Sequence, residues 1–204
     1  MLFQSSVSLY NQSIGFKDET MKIEHKWALA TISVLALAAL IFTKRKAIME
    51  YSKEKVWDLL TEAKISTLHP KVRDKAREFI NKAEKEGIKL RITSAFRTYA
   101  EQDALYAQGR TKAGSIVTNA KAGQSSHNFA TAIDVVPIVN GNADWNTDWS
   151  KIATIGKSVG FSWGGDWKSF KDKPHFEMNF GNTLAQLRSK FNSGQVTDGY
   201  VQLA

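Results

Sequence analysis

Two short stretches of the chain carry side chains that could hold a catalytic metal ion. The first contains His127 and Asp134, and the second, further along, contains Asp172 and His175. Imidazole and carboxylate groups are common protein ligands of zinc, and three protein ligands leave one tetrahedral position open for water. That arrangement is typical of catalytic rather than structural zinc. A further carboxylate nearby could act as the base that takes a proton from this water.

The segment around Asp134 has the composition of a buried or half-buried strand. Residues 132–136 are rich in β-branched side chains. On a strand, Ile133 and Val135 face one way and Asp134 faces the other, so a carboxylate stands where the pattern expects an apolar residue. A buried carboxylate needs a cation or hydrogen-bond donors. His127, in the loop before the strand, could share such a cation.

The second stretch predicts a turn followed by another strand. Pro174 favours extended backbone in the residue before it. Residues 175–180 then alternate polar and apolar side chains, as a half-buried strand does. Asp172 should therefore lie on the preceding turn, close to His175. Glu177 shares a strand face with that histidine, which makes it a rival to Asp172 as the general base.

These stretches resemble the signature of the VanY and D-Ala-D-Ala carboxypeptidase superfamily of zinc peptidases. The resemblance is greatest to the L-alanyl-D-glutamate endopeptidases of bacterial cell walls and phage endolysins. An upstream block, residues 93–110, is similar to the family's strand-turn-helix element that bears an active-site arginine. The positions that match the family's motifs are Ser125, His127, Asp134, Asp172 and His175, with Arg97 in the upstream block.

The resemblance implies a mechanism and a role for each matching residue. One zinc ion would be held by His127, Asp134 and His175. Asp172 would be the general base, Arg97 would stabilise the oxyanion, and Ser125 would help to orient the substrate.

The substrate implied by the resemblance is the stem peptide of peptidoglycan, cut between L-Ala and D-Glu. Two alternatives remain open. The same chemistry could serve a D,D- or L,D-carboxypeptidase. A third reading is an inactive, zinc-containing module that binds cell-wall polymers, but a pure binding module has no use for Asp172 and Arg97.

One position departs from the family pattern. Three residues after the first zinc histidine, the family usually has Gly, and this chain has Ala130. If the position requires a positive φ, alanine is strained there.

Composition limits the classes of partner. The chain has 204 residues, no cysteine and a net charge of +8. The absence of cysteine excludes disulfides and thiolate zinc sites. The charge favours an anionic partner, such as a wall polymer, although a basic surface can also serve solubility alone. Lysines are scattered and no nucleic-acid-binding motif is present, so we expect no nucleic-acid partner. We expect a monomer.

Residues 27–43 contain no charged side chain and are almost wholly apolar. Such a stretch is roughly 25 Å long as a helix, at the short end for crossing a membrane. An uncleaved membrane anchor is preferred over a signal peptide or a core helix because Lys44-Arg45-Lys46 follows it directly. The chain is then divided into a polar segment (1–26), a transmembrane helix (27–43) and a zinc peptidase domain (44–204). Met21 could be a second translation start.

The sequence gives two opposing indications of the side of the membrane on which the domain after the anchor would lie. The basic cluster after the helix would keep the domain in the cytoplasm. A murein peptidase must reach the wall, so we expect the catalytic domain to face the periplasm or cell wall.

The remaining periodicities predict an α+β fold, with several helices and a small, mainly antiparallel sheet. The loop 110–126 could form one wall of the substrate groove, and residues 192–204 look like an ordinary polar end. Helical spacing is present at 49–63, 70–86, 99–108, 149–160 and 183–191, and strand patterns at 88–93, 132–136 and 175–180.

Overall fold

The computed structural model describes residues 35–203, which fall into two compact units divided between Glu50 and Tyr51. In the first unit, residues 35–50 are helical. The second unit contains the sheet, the remaining helices and all the predicted site residues.

The predicted transmembrane helix, residues 27–43, lies only partly in the described range, since residues 27–34 and the polar segment 1–26 lie outside it. Among residues 35–203, none of the helices combines the length and the apolar composition that a membrane span requires. The prediction of a membrane-spanning helix is therefore wrong for the described residues. The helical stretch continues into Lys44-Arg45-Lys46.

The sheet of the second unit is antiparallel, as the sequence predicts. Its five strands are β1 (Leu90–Ser94), β2 (Ala132–Val139), β3 (Asn142–Ala143), β4 (Ser162–Trp163) and β5 (His175–Glu177). The main strands are ordered β1-β2-β5-β4, and β3 forms a hairpin with the far end of β2. β5 is shorter than the predicted strand at 175–180, while β2 is longer than predicted.

Five helices surround the sheet in the second unit, and each corresponds to a predicted one. Their bounds are 51–66 (α1), Pro70–Lys85 (α2), Tyr99–Ala107 (α3), Trp149–Ser158 (α4) and Leu184–Asn192 (α5). The apolar stripe of α2 is buried at every predicted position, namely Val72, Ala76, Phe79, Ile80 and Ala83. Thr98 and Glu101 form a capping box that starts α3 directly after the predicted active-site arginine.

The core occupies one face of the sheet. Ile133 and Val135 of β2 belong to the same buried cluster as α2 and α4. Phe79 packs against Phe176, with ring centroids 4.8 Å apart. Gly156 of α4 permits this close approach, because a Cβ there would lie 2.5 Å from the Phe176 ring. Strand alternation therefore places the side chain between Ile133 and Val135 on the opposite face of the sheet.

The C-terminal segment is not the ordinary polar end that the sequence suggested. Val196–Thr197 (β6) and Tyr200–Val201 (β7) form an antiparallel hairpin. Val201 is buried, and its carbonyl oxygen accepts a hydrogen bond from the ring of His69 at 3.1 Å. The Asp198-Gly199 pair at the turn is a hairpin signal that the sequence reading overlooked.

Ala130 adopts a left-handed backbone conformation, with φ 59° and ψ 28°. The position therefore meets the condition under which alanine is strained, because a left-handed backbone costs an L-residue roughly 1–2 kcal/mol. We expect Ala130→Gly to raise the free energy of unfolding by up to about 1 kcal/mol, because glycine removes this strain but loses more chain entropy. Urea denaturation measures the change. Ala132→Gly, in the extended β2, is the matched control and should lower the free energy of unfolding. Equal decreases in both variants would contradict the proposal that the backbone of Ala130 is strained.

Candidate metal centre

Strand pairing brings the three predicted metal ligands together. Asp134 of β2 lies directly opposite His175 of β5 in the antiparallel register. His127 belongs to a short 3-10 turn, Ser126–Phe129, that precedes β2. The Oδ1 atom of Asp134 is 3.2 Å from His127 Nε2 and 3.2 Å from His175 Nδ1. All three ligand atoms lie within 4.8 Å of one another, so the group could hold a metal ion.

The hydrogen bonds of His127 show that a cation fits among these atoms. Its Nδ1 is 2.6 Å from the carbonyl oxygen of Ala95. A carbonyl only accepts, so Nδ1 carries a proton. In a neutral ring, Nε2 then presents a lone pair to the carboxylate of Asp134. Two acceptors at this distance require a second proton or a metal ion between them. A histidine that binds zinc through one ring nitrogen usually donates the N–H of the other ring nitrogen to a carbonyl or carboxylate, which fixes the orientation of the imidazole.

Asp134 and His175 of the centre shift one another's pKa values. Burial alone would raise the pKa of Asp134, but His127 and His175 hold it well below its usual range. Burial lowers the pKa of His175, whereas hydrogen bonds to Asp134 and Glu177 outweigh it and raise the pKa to about 9. The carboxylate therefore stays ionised and attracts a cation, which is either a proton on an imidazole or a metal ion.

Asp172 lies beside the centre, on the turn that leads into β5. Its backbone oxygen accepts a hydrogen bond from the backbone N–H of His175 at 3.3 Å. Burial, followed by the negative charge of Asp134, raises the pKa of Asp172 above its ordinary value. A carboxylate whose pKa is moved towards neutrality suits a general base.

Arg97 follows β1 and turns its guanidinium towards the same centre. Nη2 lies 3.9 Å from Asp134 Oδ2. Nη1 donates to Oε1 of Gln102 at 3.0 Å, and Nη2 donates to Oγ of Ser94 at 3.2 Å. The backbone N–H of Arg97 donates to the carbonyl of His127 at 3.0 Å. These bonds hold a cation in a fixed position next to the three candidate ligands.

All six predicted site residues line one groove with a volume of about 640 Å³. Part of the loop 110–126 forms a wall of this groove, in agreement with the sequence prediction, and half-buried Ser125 lies in that wall. On another side, the ring of Trp167 lies 5.1 Å from that of His175, centroid to centroid. The groove is lined by Arg97, Leu105, Val117, Thr118, Asn119, Ala120, Gln124, Ser125, Ser126, His127, Asp134, Trp167, Ser169, Phe170, Asp172, His175, Glu177 and Leu184.

Two polar residues at the groove were missed by the sequence analysis. Gln102 is fully buried and joins Arg97 to the groove wall, because its Nε2 donates to the carbonyl of Ala120 at 2.8 Å. Ser126 is also buried, and its hydroxyl donates to the carboxylate of Glu177. No local pattern identifies either residue. Nothing in the helical pattern marks Gln102 as buried. Ser126 is distinguished in the sequence only by its place next to Ser125, the serine of the family motif.

Gly164 allows the turn of Asp172 to pack against the chain before it. A Cβ at this position would lie 2.5 Å from the backbone oxygen of Asp172 and 3.1 Å from the Cβ of His175. Gly164→Ala should displace the turn and, for the peptide hydrolysis that the family resemblance implies, lower kcat/KM by about 100-fold, since small misplacements of reacting groups have effects of that size. Steady-state kinetics at saturating zinc measure it. Gly87→Ala, remote from the groove and strained only by its positive φ, is the control that should keep kcat/KM; wild-type kcat/KM in Gly164→Ala would contradict the packing argument.

Comparison with known proteins supports a family assignment. Residues 118–178 match the family described as D-alanyl-D-alanine carboxypeptidase. The chain is 46% identical over 124 residues to the peptidoglycan L-alanyl-D-glutamate endopeptidase CwlK of Bacillus subtilis strain 168, which covers 55% of this chain and 74% of that protein. It is 30% identical over 122 residues to the L-alanyl-D-glutamate peptidase of Listeria phage A118, covering 58% of this chain and 40% of the phage protein.

A solved structure is also similar. The crystal structure of the Serratia marcescens L-Ala D-Glu endopeptidase ChiX gives a TM-score of 0.43 at 21% identity, covering 59% of this chain and 86% of that one. The family assignment depends on the sequence relatives, chiefly on the identity to CwlK over most of its length. By that measure, this chain belongs to the D-Ala-D-Ala carboxypeptidase superfamily of zinc peptidases, among the L-alanyl-D-glutamate endopeptidases.

Proposed function

We propose that this chain is a zinc-dependent endopeptidase that hydrolyses the L-Ala–D-Glu bond of peptidoglycan stem peptides. The observation that carries the proposal is the convergence of the candidate ligands with Asp172 and Arg97 in one groove. The substrate is suggested by the names of the two relatives, the CwlK endopeptidase and the phage peptidase.

The metal would be held by His127, Asp134 and His175. Zinc in such a site lowers the pKa of its water from about 15.7 towards neutrality and polarises a carbonyl group. The donor set, two imidazoles and one carboxylate without thiolates, is one that catalytic zinc commonly has.

The chain's own side chains would handle the proton and the developing charge. Asp172 accepts the proton of the attacking water and passes it to the amine that leaves with D-Glu. Arg97 donates hydrogen bonds to the oxygen of the scissile carbonyl as it becomes negative. Because Gln102 and Ser94 already hold the guanidinium, this stabilisation needs little reorganisation during the reaction. Ser125, in the groove wall, helps to orient the stem peptide.

The site of action follows from the substrate. Peptidoglycan lies outside the cytoplasmic membrane, so the domain would act in the periplasm or cell wall. The net charge of +8 would raise its local concentration near anionic wall polymers. We propose that the domain acts as a monomer, because every group named in the mechanism is supplied by one chain.

A second candidate is a carboxypeptidase, which the description of the matching family favours. Digestion of purified murein by the full chain separates the two, with mass analysis of the fragments, with and without a chelator and after zinc is restored. A new N-terminal D-Glu that requires zinc supports the endopeptidase, whereas release of D-Ala supports the carboxypeptidase. Binding to murein without a zinc-dependent product would instead identify a binding module.

A further inference from the structure

Glu177 contacts the candidate metal centre from the far side of His175. It lies two residues further along β5, on the same face of the strand. Its Oε2 atom is 3.4 Å from His175 Nε2, while His175 Nδ1 faces Asp134 at 3.2 Å. The two nitrogens of the ring are therefore engaged by two different carboxylates, and only one of these belongs to the ligand group.

A chain of hydrogen bonds holds the carboxylate of Glu177 from the other side. Ser126 Oγ lies 2.5 Å from Glu177 Oε2, Asn179 Nδ2 lies 3.1 Å from Ser126 Oγ, and Thr131 Oγ1 lies 2.6 Å from Asn179 Oδ1. Ser126, Thr131 and His175 are buried, so water has little access to replace the hydrogen bonds among these side chains.

The ionised carboxylate of Glu177, at one end of this series of hydrogen bonds, determines which group donates and which accepts in each bond. An ionised carboxylate only accepts, so the Ser126 hydroxyl must donate to Glu177. Having used its proton, Ser126 must accept from the amide N–H of Asn179. The amide oxygen of Asn179 then faces Thr131, which donates to it. Glu177 is left as an acceptor for the remaining donor, the Nε2–H of His175.

We propose that Glu177 is a positioning residue for the metal centre. By accepting the Nε2–H of His175, it selects the tautomer whose Nδ1 lone pair faces Asp134 and His127. Ser126, supported by Asn179 and Thr131, holds the carboxylate in place. The Ala95 carbonyl does the same for His127 by accepting its Nδ1–H. Partners of this kind orient metal-binding histidines and raise their basicity. The inference rests on the zinc centre of the proposed function.

This role differs from that of a general base. The oxygen of Glu177 nearest to the centre already accepts from two donors, and it approaches the ring nitrogen that faces away from Asp134. Within residues 35–203, no imidazole forms a hydrogen bond with the side-chain carboxylate of Asp172. The structure therefore separates the two carboxylates that the sequence left as rivals.

Zinc affinity of the full chain, measured by competition with a chromogenic chelator, tests the proposal. Glu177→Ala should weaken zinc binding about 10–100-fold, the usual effect of losing such a partner. Glu177→Gln should lose less, because its amide oxygen can still accept from His175. Ser126→Ala should weaken binding in the same direction. The neighbouring Ser125→Ala is the matched control and should leave zinc affinity unchanged.

Activity at saturating zinc provides the second measurement. If Glu177 positions a ligand, excess zinc should restore most of kcat in Glu177→Ala. Unchanged zinc affinity together with a large loss of kcat would make Glu177 the base and overturn the proposal, and unchanged values of both would remove any role. Thermal unfolding of the metal-free variants checks that they fold. A wild-type chain that binds no zinc would instead refute the proposed metal centre itself, and murein products test bond specificity independently.

Discussion

Replacing Asp134 by Ala is expected to abolish stable zinc binding and, with it, peptide hydrolysis. Asp134 is the only anion in the candidate ligand group, and its Oδ1 atom lies 3.2 Å from both imidazoles. Two imidazoles alone leave the ion with too few ligands and no neutralising charge. Loss of the metal removes several kcal/mol of transition-state stabilisation, at least about 10³-fold in rate. Metal content after dialysis and digestion of murein measure the two effects.

The matched control for this variant is Asp166→Ala. Asp166 is an aspartate in the 3-10 turn that follows β4, where it pairs with Lys157 at 2.6 Å on the surface. Its removal changes the net charge equally, but surface ion pairs contribute little to stability. This variant should keep its zinc and its activity. If Asp134→Ala retained one zinc per chain and cleaved murein at the wild-type rate, the metal centre would have to lie elsewhere.

The residue types of two short stretches suggested a metal centre, and the family resemblance then selected the residues of the candidate site and their roles. The alternation of Ile133, Asp134 and Val135 fixes which face of β2 carries the carboxylate, and Pro174 fixes a turn before His175. Alternation thus places Asp134 and His175 on the face of the sheet away from the core, whereas the register that sets them opposite one another is a finding of the structure. The left-handed backbone of Ala130 was raised only as a condition, from the glycine that the family has at this position, and the structure meets that condition.

The supporting contacts were not predictable, because they join residues far apart in the chain. Ser126 and Glu177 are separated by 51 positions, and His69 and Val201 by 132. A hydroxyl next to the motif serine carries no sign of a partner on another strand. Periodicity reports which face of an element is buried but not which polar group meets it there.

The membrane prediction failed for a related reason. Counting apolar residues in the window 27–43 treats that window as an element of its own. Where the structure describes it, from residue 35 onward, the helical stretch continues past Thr43 into basic residues. In the described part of that stretch, nine uncharged residues, 35–43, precede Lys44-Arg45-Lys46, which is fewer than the roughly 20 apolar residues that a membrane span needs.

Replacing Asp172 by Asn is expected to lower kcat/KM by about 10²–10⁴-fold, the usual contribution of a general base. Zinc affinity should change little, because Asp172 is not in the ligand group and its bond to the N–H of His175 comes from the backbone oxygen. The amide fills the same space but cannot accept the proton. Kinetics on a synthetic stem peptide, with zinc affinity measured in parallel, test this, and Asp166→Asn is the charge-matched control.

The pH profile of the wild-type enzyme provides a second test of Asp172. A base must be ionised, so activity is present above its pKa and is lost as the pH falls through it. In the metal-free chain, burial, followed by the charge of Asp134, raises this pKa above its ordinary value. A bound metal ion would lower it again, so the test is whether an acidic limb of kcat/KM belongs to Asp172, not the pH at which that limb lies. The residual activity of Asp172→Asn should lack this limb. If the limb persisted in that variant and vanished in Glu177→Gln, the proton would pass through Glu177, and the division of roles between the two carboxylates would be reversed.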